Sequence, residues 1–271
     1  MAKVIAVCNQ KGGVGKTTTA ANLGFGLARE GNSVLLVDFD PQGDLTTCLG
    51  WKNQDELEVT IASLIRDSID DKDVNLENEI LHHEDGVDLI PANIELSALE
   101  TQLVTVMSRE VTLKNLLSEV RNKYEYIIID CQPSLGMLTI NALTAADSVI
   151  IPVQPQYLPT KGMTQLLQTV NKVKRFINPQ LKVEGILITL ADNRTNLTKE
   201  ATVVINETFG QHFNVFKTNI PAGVAAAKAT STGKSVYDFD KNSKVATAYA
   251  ALTREVISNG RETRLENEHV I

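Results

Sequence analysis

The chain has 271 residues, 43% of them hydrophobic, which is material for one large α/β domain and excludes a disordered chain. With 33 acidic against 26 basic side chains the net charge is −7, which excludes a generally basic nucleic-acid binder but leaves room for a local basic face. Three cysteines, Cys8, Cys48 and Cys131, show no CxxC spacing and read as free thiols of a reducing compartment rather than a disulfide framework.

Met1-Ala2-Lys3 leads straight into an apolar run without a signal-peptide pattern. No run approaches the ~20 apolar residues of a membrane-spanning helix, so a soluble, cytoplasmic protein is expected. Short, nearly continuous apolar runs at 4–8, 34–37, 87–90, 126–129, 148–153, 183–190 and 215–219 predict buried parallel strands. Helical patterns fall at 16–30, 94–103, 112–123, 138–146, 162–176, 198–209 and 243–257. This alternation predicts an α/β fold, a doubly wound and mostly parallel sheet flanked by helices. Ligands of such sheets sit beyond the carboxyl ends of the strands, here at 9–11, 38–44, 130–133 and 154–157. The polar, acidic stretch 67–86 reads as a surface excursion. Residues 1–258 are expected to form a single domain, and 259–271 a charged, flexible tail.

The first strand runs into Lys11-Gly12-Gly13-Val14-Gly15-Lys16-Thr17, which opens a helix. Glycines let the backbone curl around phosphate oxygens, and backbone N–H groups at the helix start complete an anion cradle. Lys16 is expected to reach the β- and γ-phosphates of ATP, and the Thr17 hydroxyl to ligate Mg²⁺. Thr18 is placed to bond a phosphate nearer the base. The common pattern G-x-x-x-x-G-K-[ST] fails at its first glycine, where Gln10 stands, and an extra lysine, Lys11, lies inside the loop. The second strand ends in Asp38-Phe39-Asp40-Pro41-Gln42-Gly43, two carboxylates facing the same cleft. The strand 126–129 ends in Asp130, the Walker B form, expected to hold Mg²⁺ through a water. His82, His83, His212 and His269 lack ligand spacing, and no metal beyond Mg²⁺ is expected.

Asn9-Gln10-Lys11-Gly12-Gly13-Val14-Gly15-Lys16-Thr17-Thr18-Thr19 resembles the deviant Walker A loop of the ParA/MinD P-loop ATPases. Asp38 to Gly43 is similar to the first switch of that family, and Cys131-Gln132-Pro133-Ser134 to its second, usually Cys-Pro-Pro-Ser. The resemblance implies that Lys11 crosses to the nucleotide of a second subunit in an ATP-sandwich homodimer. It implies that Asp40 positions or activates the attacking water, that Asp38 helps hold the Mg²⁺ shell, and that Pro221 contacts the adenine. Cys131 reads as a small buried hydrophobe, since no second cysteine has the context of the iron–sulfur relatives.

Further along, 134–143 and 192–197 look like the small ParA partition proteins, which ride on nonspecific DNA and answer to a ParB-like centromere-binding partner. On that resemblance the location is the nucleoid, and the start leaves no room for a helix-turn-helix domain. Arg194 matches a DNA-contacting position; Lys199 and Lys228 are candidate contacts, extended by Lys217, Lys234, Lys241, Lys244 and Arg254. The family usually places basic residues just after Ile220-Pro221, whereas 222–227 here is Ala-Gly-Val-Ala-Ala-Ala, which argues for weaker DNA affinity. Three other readings stay open: a related ATPase positioning another cargo, a MinD-like membrane switch, and a ligase of the dethiobiotin synthetase type. The tail has almost no apolar face of the kind a membrane-binding helix needs.

Overall fold

The computed structural model describes residues 1–72, 75–155, 160–192 and 194–268. The expected ligand segment 154–157 therefore lies partly outside the described residues, as do Asn193 of the 192–197 motif and the last three residues of the tail. In chain order the first half runs β1 (Lys3–Val7), α1 (Lys16–Arg29), β2 (Val34–Phe39), α2 (Asp44–Cys48), α3 (Ile61–Ile69), β3 (Leu81–His82), β4 (Val87–Ile90), α4 (Glu95–Leu103) and α5 (Thr112–Ser118). The second half runs β5 (Tyr126–Cys131), α6 (Met137–Ala145), β6 (Ser148–Val153), α7 (Thr160–Phe176), β7 (Lys182–Ile188), α8 (Asn196–Phe209), α9 (Val224–Thr232), α10 (Val236–Phe239) and α11 (Lys244–Glu268).

The strands form one sheet in the order β3-β4-β2-β5-β1-β6-β7, parallel throughout except for β3 against β4. Both faces are covered, which explains why the strands read as continuous apolar runs. Alternate residues of β1 enter different cores: Val4, Ala6 and Cys8 pack with Leu96, Leu113, Leu138 and Leu166 of the helices on one face. Ile5 and Val7 pack with Leu23, Leu45, Val236 and Tyr249 on the other.

The predicted strand 215–219 does not form; isolated bridges Ile186↔Val215 and Ala191↔Pro221 stand in its place. The amides of Lys217 and Thr218 donate to the Glu255 carboxylate on α11 at 3.2 and 3.1 Å, so they are lost to a strand ladder. Within 67–86 the structure places the end of α3 and the short strand β3. α3 itself was missed, although Thr60 and Ser63 form a capping box ahead of its apolar face. α9 was missed because its alanines give no apolar stripe while being the best helix formers. The charged segment from Asn259, expected as a flexible tail, continues α11 as far as Glu268. After Gly260 it holds no further glycine or proline, and Arg, Glu and Leu all favour helix.

Candidate active site

β1 lies between β5 and β6, so the loop leaving it opens at the centre of the sheet's carboxyl edge. Gly13 and Gly15 take φ of +70° and +82°, a left-handed backbone that a side chain would strain. No side chain caps the start of α1, which leaves its first amides to face an anion. The loop is braced from outside. The Asn9 side chain donates to the Pro152 carbonyl at 2.6 Å and accepts from the Lys11 amide at 3.0 Å. Gln154 Nε2 donates to the Gly13 carbonyl at 2.6 Å, and the Thr189 hydroxyl to that of Val14 at 2.7 Å. Asn9, Gln154 and Thr189 carried no role in the sequence; the placement of 9–11 and 154–157 at strand ends was the only signal for the first two.

Lys16 is 7% exposed and reaches back over the loop to the Lys11 carbonyl at 3.5 Å. Lys11 lends the loop its backbone while its side chain stands exposed. Val14 is buried, and Gly12, Gly13, Thr17 and Thr18 lie at or near the surface. Gln10, in the place of the usual first glycine, has a buried Oε1 without a hydrogen-bond partner.

The register pairs Val7 with Asp130 and Asp38 with Asp130, which brings the phosphate loop and both carboxylate segments to one edge. Asp38 is fully buried; it accepts from the Thr46 amide at 2.8 Å and the Thr46 hydroxyl at 2.7 Å. Burial nevertheless pushes its carboxyl up to about 7, against the pull of those hydrogen bonds. Burial also raises Asp40, whose Oδ1 accepts from the Gln42 amide at 3.0 Å. Asp130 is raised well above the usual carboxylate range, first by burial and then by the charge of Asp38, while Thr17 and Lys16 pull it down. Among the described residues neither buried Asp130 oxygen has a hydrogen-bond partner.

Orphaned buried carboxylate oxygens are costly unless a cation or donor satisfies them. Among the described residues no three acidic, imidazole or thiol groups converge as a preformed cation cage. A hard divalent ion that keeps several waters and takes phosphate oxygens fits this sparse oxygen set; Ca²⁺, which wants a fuller cage, does not. Next to the site, the Cys8 and Cys131 thiols meet at 2.7 Å across the paired ends of β1 and β5. All three cysteines are free and buried.

The other predicted positions lie around this centre. Pro221 pairs with Ala191 beyond the end of β7, at the same carboxyl edge. Arg194 precedes α8 with a side chain 90% exposed, forked onto Asp192 by bonds of 2.9 Å to each carboxylate oxygen. Lys199 and Lys228 are exposed on α8 and α9. In the alanine segment, Ala225 and Ala226 pack against the core and so carry a structural role.

A strand, a glycine turn, an uncapped helix and a facing buried carboxylate together define a P-loop nucleotide-binding protein. A family model described as an AAA domain matches residues 2–183. The sporulation initiation inhibitor protein Soj of Bacillus subtilis is 46% identical over 260 residues, 96% of this chain and 100% of that protein. The chromosome partitioning protein ParA of Caulobacter vibrioides is 38% identical over 262 residues, 96% of each chain. Among solved structures, cobyrinic acid a,c-diamide synthase from Mycobacterium smegmatis with bound ADP and magnesium aligns with TM-score 0.82 at 36% identity, over 96% of both chains. The chain belongs to the AAA-domain family, as a P-loop ATPase of ParA/MinD type.

Proposed function

We propose that this protein is a Mg²⁺-dependent ATPase that dimerises around ATP, binds nonspecific DNA in that state and partitions a plasmid or chromosome with a ParB-like partner. The observation that supports the chemistry is the buried, unpartnered Asp130 carboxylate facing a phosphate loop with an uncapped helix behind it. The names of the relatives support the partition role.

The glycine turn and the start of α1 would bind the phosphates, with Lys16 against the β- and γ-oxygens. Thr17 and, through water, Asp130 and Asp38 would hold Mg²⁺, which supplies positive charge to the phosphates when bound. Asp40 would orient the attacking water; its carboxylate sits at the cleft with one oxygen fixed by Gln42. Lys11, exposed and unneeded for the fold of its own loop, would arrive at the nucleotide of the second subunit. Pro221 would lie against the adenine. Arg194, Lys199 and Lys228 would track DNA phosphates in the nucleoid.

The decisive experiment measures ATP-dependent retention on nonspecific DNA and on liposomes at two salt concentrations. Retention on DNA only with ATP, falling steeply with salt, is expected. Binding to liposomes instead would overturn the partition reading in favour of a membrane switch.

A further inference from the structure

The chain leaving Asp130 passes through Gln132 and Gly136 before α6 begins at Met137. Both ends of this loop are tied to one side chain of α4. Gln132 Nε2 donates to Glu100 Oε2 at 3.0 Å, and the Leu138 amide donates to Glu100 Oε1 at 3.2 Å. α6 has no side-chain cap of its own, so the Glu100 carboxylate serves its first turn, where a negative charge is favoured. The approach depends on Gly136, since a Cβ there would run into Glu100 Oε1. Inside the loop, Ser134 Oγ accepts from the Gly136 amide and the Thr139 hydroxyl donates to the Ser134 carbonyl, which ties the segment to the first turn of α6.

The amino end of α4 is anchored to the other carboxylate. Thr46 Oγ1 donates to Asp38 at 2.7 Å and accepts from the Ala92 amide at 3.0 Å, and the Asn93 side chain then accepts from the Glu95 amide as α4 starts. α4 thus connects the Asp38 contact at its amino end to the Asp130 loop at Glu100.

We propose that Glu100 is a positioning residue for ATP hydrolysis, with Gln132 as the latch that keeps the Asp130 loop on α4 and in step with Asp38. This rests on the ATPase reading of the site. The pair bonds to α4 and the start of α6 rather than to the phosphate loop, so it acts on turnover through the placement of Asp130 and leaves ATP affinity to that loop.

The test compares turnover and the affinity for a fluorescent ATP analogue across Gln132→Glu, Glu100→Gln with Gln132→Glu, and Gly136→Ala. Gln132→Glu sets two carboxylates face to face and is expected to lower kcat about tenfold with affinity changed less than about twofold. The double variant exchanges amide and carboxylate, restores the hydrogen bond and should return to within about threefold of the parent. Gly136→Ala displaces Glu100 without changing charge and should slow turnover alone. A Gln132→Glu protein as fast as the parent, a double variant no faster than the single, or a loss confined to affinity would each overturn the latch. If the parent itself turns over no ATP above a Lys16→Ala control, the ATPase reading falls first; an active parent with unresponsive variants removes only the latch.

Discussion

Burial favours the protonated carboxyl at Asp38 and Asp130 relative to an unfolded chain. A buried carboxyl raised to about 7, as for Asp38, stays protonated in the folded state while its unfolded counterpart, near about 4, is ionised. The folded state therefore binds more protons across that window, and stability of the nucleotide-free protein should fall as pH rises through it. Urea midpoints measured between about pH 4.5 and about pH 7.5 check this, and a rising midpoint would contradict it. On the proposed assignment of Asp38 and Asp130 to Mg²⁺, the cation competes with those protons, so its affinity should rise over the same range with measurable proton release. Lys11 belongs to a different argument. With its side chain in solvent, Lys11→Ala should leave ATP binding intact but cut turnover on the order of tenfold or more and weaken the ATP-dependent dimer; unchanged turnover rules out its action across the interface. Asp40→Ala should accumulate an ATP-bound dimer, visible by sizing, and normal hydrolysis in that variant removes Asp40 from the chemistry. That the phosphate loop and the two carboxylate segments share one edge of the sheet was legible because short-range spacing carries it: glycines before Lys16-Thr17, and acids at the ends of apolar runs. Thr46, Glu100 and Gln132 were not, because Thr46 meets Ala92, and Gln132 meets Glu100, only after distant segments fold together.

At the scale of elements, α9 is pinned by a contact between two glycines. Gly233, at the carboxyl end of α9 with φ +71°, lies so close to Gly50 that a Cβ would come within 2.8 Å of the Gly50 Cα. His83 closes the same junction: its Nδ1 accepts from the Asp85 amide at 3.0 Å, and its Nε2 therefore donates to the Gly233 carbonyl at 3.2 Å. Its ring also stacks edgewise on Phe25 and Trp51. Gly233→Ala should cost roughly 1–3 kcal/mol in a chemical unfolding experiment and shift the Trp51 fluorescence of the native state; a loss below ~0.5 kcal/mol would show that the junction yields freely. The buried strands were readable from continuous apolar runs, and β6 was predicted with its observed ends. The failures share a cause. Segments 215–219 and α9 are decided by α11, through Glu255 and through Val245 beneath Gly223, more than 20 residues away in sequence.

At the scale of the molecule, no described helix is long and apolar enough to cross a membrane. The chain's net charge of −7 means that any DNA-facing surface must work against the field of the rest, a repulsion that salt also screens. ATP with Mg²⁺ should raise the thermal midpoint in proportion to the logarithm of its concentration, while ATP with a chelator should do so much less. The meeting of Cys8 with Cys131 has a practical consequence for watching this happen. Both sulfurs are shut away beneath the helices on one face of the sheet, so a bulky thiol-reactive dye reaches them only when that core opens. In a Cys48→Ala background the labelling rate is then a clock for opening of the core beside the phosphate loop and Asp130, and nucleotide should slow it.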